Sequence, residues 1–143
     1  MTEISFHFNV ADRAGYACRL LRKATRLGAC VAVTGADETL TRFDRELWAF
    51  DPVEFIPHVH VREGQPVAER VCATRVWLVD DAARAGHCEV LLNLGDTPPM
   101  GFESFARLIE IVSTAEADRD AARGRWRHYA HRGYRITRHE VAE

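Results

Sequence analysis

The 143-residue chain carries 47% hydrophobic and 28% charged residues with a formal net charge of −2, the make-up of a single globular domain over residues 1–143 rather than of a disordered segment. So balanced a charge speaks against wholesale nucleic-acid binding by bulk electrostatics. Neither a charged leader before an apolar run nor a stretch of about 18 consecutive apolar residues occurs, so no signal peptide or membrane span is expected and the cytoplasm is the default compartment.

Ile4–Val10 (ISFHFNV) alternates Ile4, Phe6, Phe8 and Val10, which reads as a strand with these four on one face. Ala11–Leu27 changes to helical spacing with Tyr16, Leu20, Ala24 and Leu27 in a stripe, Asp12 as N-cap and Gly28 as the residue that ends the helix. Cys30–Thr34 (CVAVT) has the look of a strand buried on both faces. Gly35–Asp37 turns the chain, and Asp37 is expected to cap a second helix running to about Trp48. Strand, helix, strand, helix in short succession predicts right-handed crossovers and a parallel sheet.

Asp51-Pro52 breaks the second helix, and Glu54–Val61 is extended, with Pro57 restricting it to a short or edge strand. Arg62–Ala73 reads as a polar loop. Arg75–Val79 and Glu89–Leu94 are further strands, and Gly95–Met100 is a loop with two prolines. Phe102–Leu108 begins as a helical turn, and Ile109–Ser113 fits strand and helix equally. A long helix follows and ends at Gly133. The fold class is therefore α/β, a mostly parallel sheet flanked by helices. The cysteines (Cys18, Cys30, Cys72, Cys88) form no CxxC pair and are expected as reduced, mostly buried thiols.

Chemistry finds little purchase in this pattern. Neither GxGxxG nor GxxxxGK[ST] is present, so a strand–helix phosphate cradle is missing from the sequence. His58 and His60 alternate on a strand and share a face, but two histidines need further ligands to hold a metal, and none is placed by spacing. Solvated or partner-facing histidines are the favoured reading. No nucleophile–base arrangement can be named, and no cofactor or metal is expected.

The segment Asp118–Tyr134 is the most informative. From Arg119 to Arg138 there are seven arginines and one acid, Asp120, while Lys23 is the only lysine of the protein. Drawn as a helix, Arg119, Arg123 and Trp126 share one face, and Ala122, Trp126, Tyr129 and Ala130 run along an overlapping apolar stripe. Cations bordering an aromatic surface suit an anionic partner with something apolar to bury, and a solvated helix lying over a core gives the same pattern. Phe43–His58 crowds Leu47, Trp48, Phe50, Phe55 and Ile56 around two prolines, which marks either a corner of the core or an exposed docking patch.

The run LTRFDRELWAFDPVEFIPH resembles a signature of the chi subunits of bacterial DNA polymerase III, small accessory proteins of the clamp loader. That family reads as leucine or phenylalanine, an acid, two residues and Leu-Trp, then a proline, Phe, an aliphatic residue and Pro-His. Here these are Phe43, Asp44, Leu47, Trp48, Pro52, Phe55, Ile56, Pro57 and His58. The N-terminal strand ending near Asn9, the helix closing at Gly28, the EVLLNL strand and the late helix closing on Gly133-Tyr134 fall in the family's order.

The resemblance implies a nucleotide-binding-like sheet without nucleotide chemistry, in a non-catalytic adaptor. One partner is the acidic C-terminal tail of single-stranded DNA-binding protein (SSB), which would meet Val112, Arg119, Arg123 and Trp126. Trp126 stands where relatives also have tyrosine. The other partner is the psi subunit of the clamp loader, which would face Trp48 and Phe55. The competing reading is direct binding of single-stranded nucleic acid, with Trp126, Tyr129 and Tyr134 stacking on bases and the arginines on phosphates.

Overall fold

The computed structural model describes residues 1–50, 56–61, 74–85 and 88–141. Seven strands and three α-helices alternate along these residues. They are β1 (Glu3–Val10), α1 (Arg13–Arg26), β2 (Val31–Thr34), α2 (Asp37–Phe50), β3 (His58–Val61), β4 (Val76–Val79), β5 (Val90–Asn93), β6 (Arg107–Ser113), α3 (Glu116–His131) and β7 (Ile136–Glu140). All seven strands join one sheet in the order β3-β4-β2-β5-β6-β1-β7, and every pairing is parallel. The expected α/β architecture is present, with β3 at one edge as Pro57 requires and β7 at the other.

The sheet separates two cores. Val31, Val33, Val76, Leu78, Leu92, Ile109 and Ile111 face α1 and α2, whose buried residues include Ala17, Leu21, Leu40, Phe43 and Leu47. Ala32, Trp77, Leu91, Leu108 and Val112 face the opposite side, where α3 contributes Ala122 and Tyr129. Central strands apolar on both faces are what a parallel sheet covered by helices requires. Ile109–Ser113, ambiguous by period, is strand because its alternate residues serve both cores.

Several expectations need correction. Val10 does not share a face with Ile4 and Phe6. The β1–β6 register shifts between His7 and Val10, and Asn9 there has φ 65°, a left-handed conformation that asparagine tolerates better than most residues. This bulge sends Val10 into the α1 core while Phe8 stays with the α3 core. Leu27 is 78% exposed, and the buried line of α1 is Ala17, Cys18 and Leu21. Asp12 caps α1 as expected, its carboxylate accepting from the Gly15 N–H. Asp37, by contrast, is already inside α2 as one of two acids in its first turn, where the helix dipole favours them.

Strand β7 is absent from the sequence reading. It is a charged edge strand with four of five residues exposed, so no apolar alternation announces it. Cys30 and Cys88 are joined as a disulfide, where reduced thiols were expected. The β2–β5 pairing, which sets Val31 beside Val90, brings them together, and sequence spacing cannot show that. Cys18 is the buried thiol of α1, its pKa pushed up to about 12 by burial and then by Glu46 and Asp12. Cys72 and the whole of the Arg62–Ala73 segment lie outside the described residues.

Candidate functional site

Helix α3 owes its placement to its inward face. Ala122, Arg125 and Tyr129 are its buried residues, and an arginine in that row is unexpected. Arg125 Nε donates to Glu110 Oε1 at 3.0 Å, and both side chains are removed from solvent. The Tyr129 hydroxyl donates to Glu110 Oε2 at 2.6 Å, and Asn93 Nδ2 donates to the same oxygen at 3.0 Å. Arg125 also donates to the Asp96 carbonyl at 3.1 Å. Burial pushes the Glu110 pKa up, opposed by the Arg125 charge and by the donors on its two oxygens. Such a buried ionic cluster is stable only because its carboxylate is multiply hydrogen-bonded. It bolts α3 to β5 and β6 through polar geometry as well as apolar packing.

With α3 so held, its outer flank and the sheet enclose a groove of about 960 Å³. Phe6 and Phe8 of β1, Val112 of β6 and Ala122 and Trp126 of α3 supply its apolar lining. Trp126 lies tilted against Phe6, with ring centroids 5.1 Å apart. Arg119, Arg123 and Arg127 reach it at four-residue intervals along α3, and Arg138 and Glu140 reach it from β7. Arg123 pairs with Asp120 one turn back, and the Arg138 guanidinium sits 5.2 Å from the centre of the Phe8 ring. The groove is thus an apolar slot with three arginines along α3 and with Arg138 beside Glu140 on β7. It suits a ligand that presents carboxylates beside a large apolar side chain.

All four residues expected to meet an acidic tail, Val112, Arg119, Arg123 and Trp126, line this one groove. Residues 1–137 match the family described as DNA polymerase III chi subunit, HolC. The chain is also 32% identical over 146 residues to a Pseudomonas aeruginosa protein named DNA polymerase III subunit chi, covering 99% of this chain and 98% of that relative.

The chain belongs to the DNA polymerase III chi subunit family.

Membership assigns it an accessory role in the replication machinery, alongside the polymerase complex.

Of the second pair of residues implied by the chi resemblance, Trp48 lies on α2, on the far side of the sheet from α3. Trp48 is 59% exposed on α2, its indole edge-on to His58 with centroids 5.3 Å apart. Of the two alternatives for this segment, Trp48 takes the exposed one, whereas Leu47, Phe43 and Ile56 are core. Phe55 lies outside the described residues. His58 and His60 share a face as expected, but that face packs on α2 instead of being solvated or partner-facing, with side chains only 0% and 10% exposed. His58 Nε2 is 2.8 Å from Asp44 Oδ1, and His60 Nε2 is 3.6 Å from Asp37 Oδ1. Among the described residues, no three His, Cys, Asp or Glu side chains converge on a metal-sized site.

A smaller cavity of about 470 Å³ opens where β5 and β6 end and α1 and α3 begin, lined by Arg13, Asp96, Ser113 and Asp118 among others. Helices leave the adjacent strands β1 and β6 toward opposite faces there, the usual ligand crevice of an open α/β sheet. In this chain Asp118 fills the anion's place: its carboxylate accepts from the Ser113 N–H at 2.7 Å and lies 3.7 Å from Arg13.

Sequence reasoning missed Glu110, Phe6, Phe8 and Arg138 as parts of the site, and did not foresee that Arg125, one of the seven arginines of this segment, is buried. Glu110 did leave a trace, as a lone acid inside the apolar run LIEIV. The others depended on β7 and on which face of β1 meets α3.

Proposed function

We propose that the protein is a non-catalytic adaptor of the replication machinery, working in the cytoplasm, that holds the acidic C-terminal tail of SSB in the α3 groove. The observation that carries this reading is the junction of an apolar slot (Phe6, Val112, Trp126) with cations from α3 (Arg119, Arg123) in a single groove. Arg119 and Arg123 take tail carboxylates, the planar guanidinium gripping two oxygens at once. Val112 and Trp126 wall the slot for the terminal Phe ring. Each charge-assisted contact contributes roughly 1.5–3 kcal/mol and the ring about 1.5–3 more. After the cost of ordering a flexible tail, micromolar affinity, about −8 kcal/mol, is the expected net. Many tails along a coated strand turn that weak contact into firm retention.

On the opposite side, exposed Trp48 is the described part of the contact for the psi subunit and through it the clamp loader, to which the chi resemblance adds Phe55. The physical support is an aromatic side chain standing out from α2 beside the edge strand, the type of anchor enriched at interfaces.

The competing nucleic-acid reading draws less from this geometry. Tyr129 is 0% exposed, and Tyr134 is half-buried against Phe102, so neither offers a free ring face to a base. Calorimetry separates the readings. An acidic peptide ending in Phe should bind with micromolar affinity, the same peptide without its Phe should bind far more weakly, and single-stranded oligonucleotide should not compete. Equal binding by the truncated peptide, or competition by oligonucleotide, would remove the proposal.

A further inference from the structure

The groove has a second wall, on β7, that neither the chi signature nor the spacing along α3 singled out, and it carries one cation, Arg138, and one acid, Glu140. In the parallel β1–β7 register Arg138 stands beside Phe6, so it shares the sheet face that carries the slot. Its guanidinium lies over Phe8, 5.2 Å from the ring centre, and it lines the groove from β7 while Arg119, Arg123 and Arg127 line it from α3. Its side chain is exposed, and no carboxylate among the described residues forms an ion pair with it. Arg123 differs in this respect, because Asp120 already holds it.

We propose that Arg138 is a specificity-determining contact of the groove, gripping a side-chain carboxylate upstream of the residue whose ring fills the slot. The proposal rests on the reading of the groove as an acidic-peptide site. Its physical basis is the two-walled layout. An apolar side chain seated between Phe6, Val112 and Trp126 leaves peptide on either hand, and each wall offers a guanidinium. One wall can take the terminal carboxylate, and the other must then meet whatever precedes the ring. Stacking on Phe8 limits the conformations of the Arg138 side chain before binding, so less freedom is lost on gripping the ligand. A two-walled site therefore selects for acids ahead of the aromatic residue and not for a charged terminus alone.

The test is a double-mutant cycle in calorimetry, using the full-length chain and a synthetic acidic peptide ending in Phe, with each upstream acid replaced in turn by its amide. Arg138→Ala should weaken the parent peptide about tenfold, the loss expected for one charge-assisted contact. It should make little further difference to the one peptide that lacks the matching acid. Arg138→Lys should recover part of the loss through its charge. An unchanged melting temperature in both variants excludes a fold effect. If Arg138→Ala binds every peptide as the parent chain does while Arg123→Ala fails to bind, the second wall is idle and the inference falls, although the groove reading stands. If Arg138→Ala weakens all peptides by the same factor, Arg138 acts through general charge rather than by reading one acid, and the inference is again overturned. If Arg123→Ala and Arg138→Ala both bind normally, the groove is not the peptide site and both readings fall together.

Discussion

Arg125 and Glu110 meet at 3.0 Å inside the protein, at 1% and 0% side-chain exposure, and this pair fixes the helix that carries the groove. Arg125 is only two residues from Arg123 and next to Trp126, so a shift of the buried pair moves the groove wall with it. Removing one partner leaves the other as a buried charge without its counter-charge. Glu110→Ala should therefore lower the unfolding free energy by about 3–5 kcal/mol, whereas replacing both residues by apolar ones of similar volume should restore much of it. Urea unfolding measures both. A single-site loss under about 1 kcal/mol would mean that the cluster does not anchor α3.

The groove itself is open to direct substitution. Arg123→Ala and Trp126→Ala should each weaken the acidic Phe-ended peptide by roughly ten- to a hundredfold, with the melting temperature unchanged in Arg123→Ala, whose residue is exposed, and lowered by a few degrees in Trp126→Ala, whose ring packs on Phe6. Peptide titration by calorimetry, paired with thermal melts, checks this.

Asp120 competes with any incoming carboxylate for Arg123. Asp120→Asn should therefore tighten peptide binding several-fold at low salt, with the gain shrinking as ionic strength rises, because both groups are exposed and readily screened. Binding that weakens in this variant would show Asp120 to be an organiser of the groove and not a competitor.

A separate prediction concerns acid. His7, packed against Tyr16 and His139, has its pKa lowered to about 4 by burial, then by His139 and Arg107. Its ordinary value is 6.5. Between those values the unfolded chain binds a proton that the folded chain does not, so this residue makes stability fall as pH drops from about 6.5 to about 4, with no further loss below. Urea midpoints measured across that window should slope downward toward acid, and His7→Gln should flatten the slope. An equally steep slope in His7→Gln would assign it to other groups.

Trp48→Ser removes a large exposed ring and should leave the melting temperature within a few degrees. If the psi-facing surface is where we propose, the same change abolishes capture of psi while leaving tail-peptide affinity untouched. Loss of folding would instead make Trp48 a structural residue.

How much of this was legible in the sequence depended on how locally each feature is encoded. Helices α1 and α3, with Asp12, Gly28 and Gly133 at their ends, could be read because caps and stops lie next to the residues they govern. Arg119, Arg123 and Trp126 could be placed on one face because α3 is long and its spacing fixes their azimuth. Strand β7 could not be read, since a charged edge strand owes its existence to the backbone of β1 and not to its own pattern. Arg125 was misjudged for the same reason: its burial is set by Glu110, fifteen positions away on another element. Val10 changed faces because one left-handed residue, Asn9, resets the alternation, and no hydrophobic period shows that.

The order of the strands has a mechanical meaning. Trp48 stands beside β3 at one margin of the sheet, and the groove opens beside β7 at the other. With neighbouring strands about 4.8 Å apart, the six steps between these margins separate them by on the order of 29 Å. The span is a continuous hydrogen-bonded slab, so it serves as a stiff spacer. Two partners seated at its ends would not collide, and neither would be expected to alter the other's affinity. Tension between them would be carried across the sheet, perpendicular to the strands, along its interstrand hydrogen bonds.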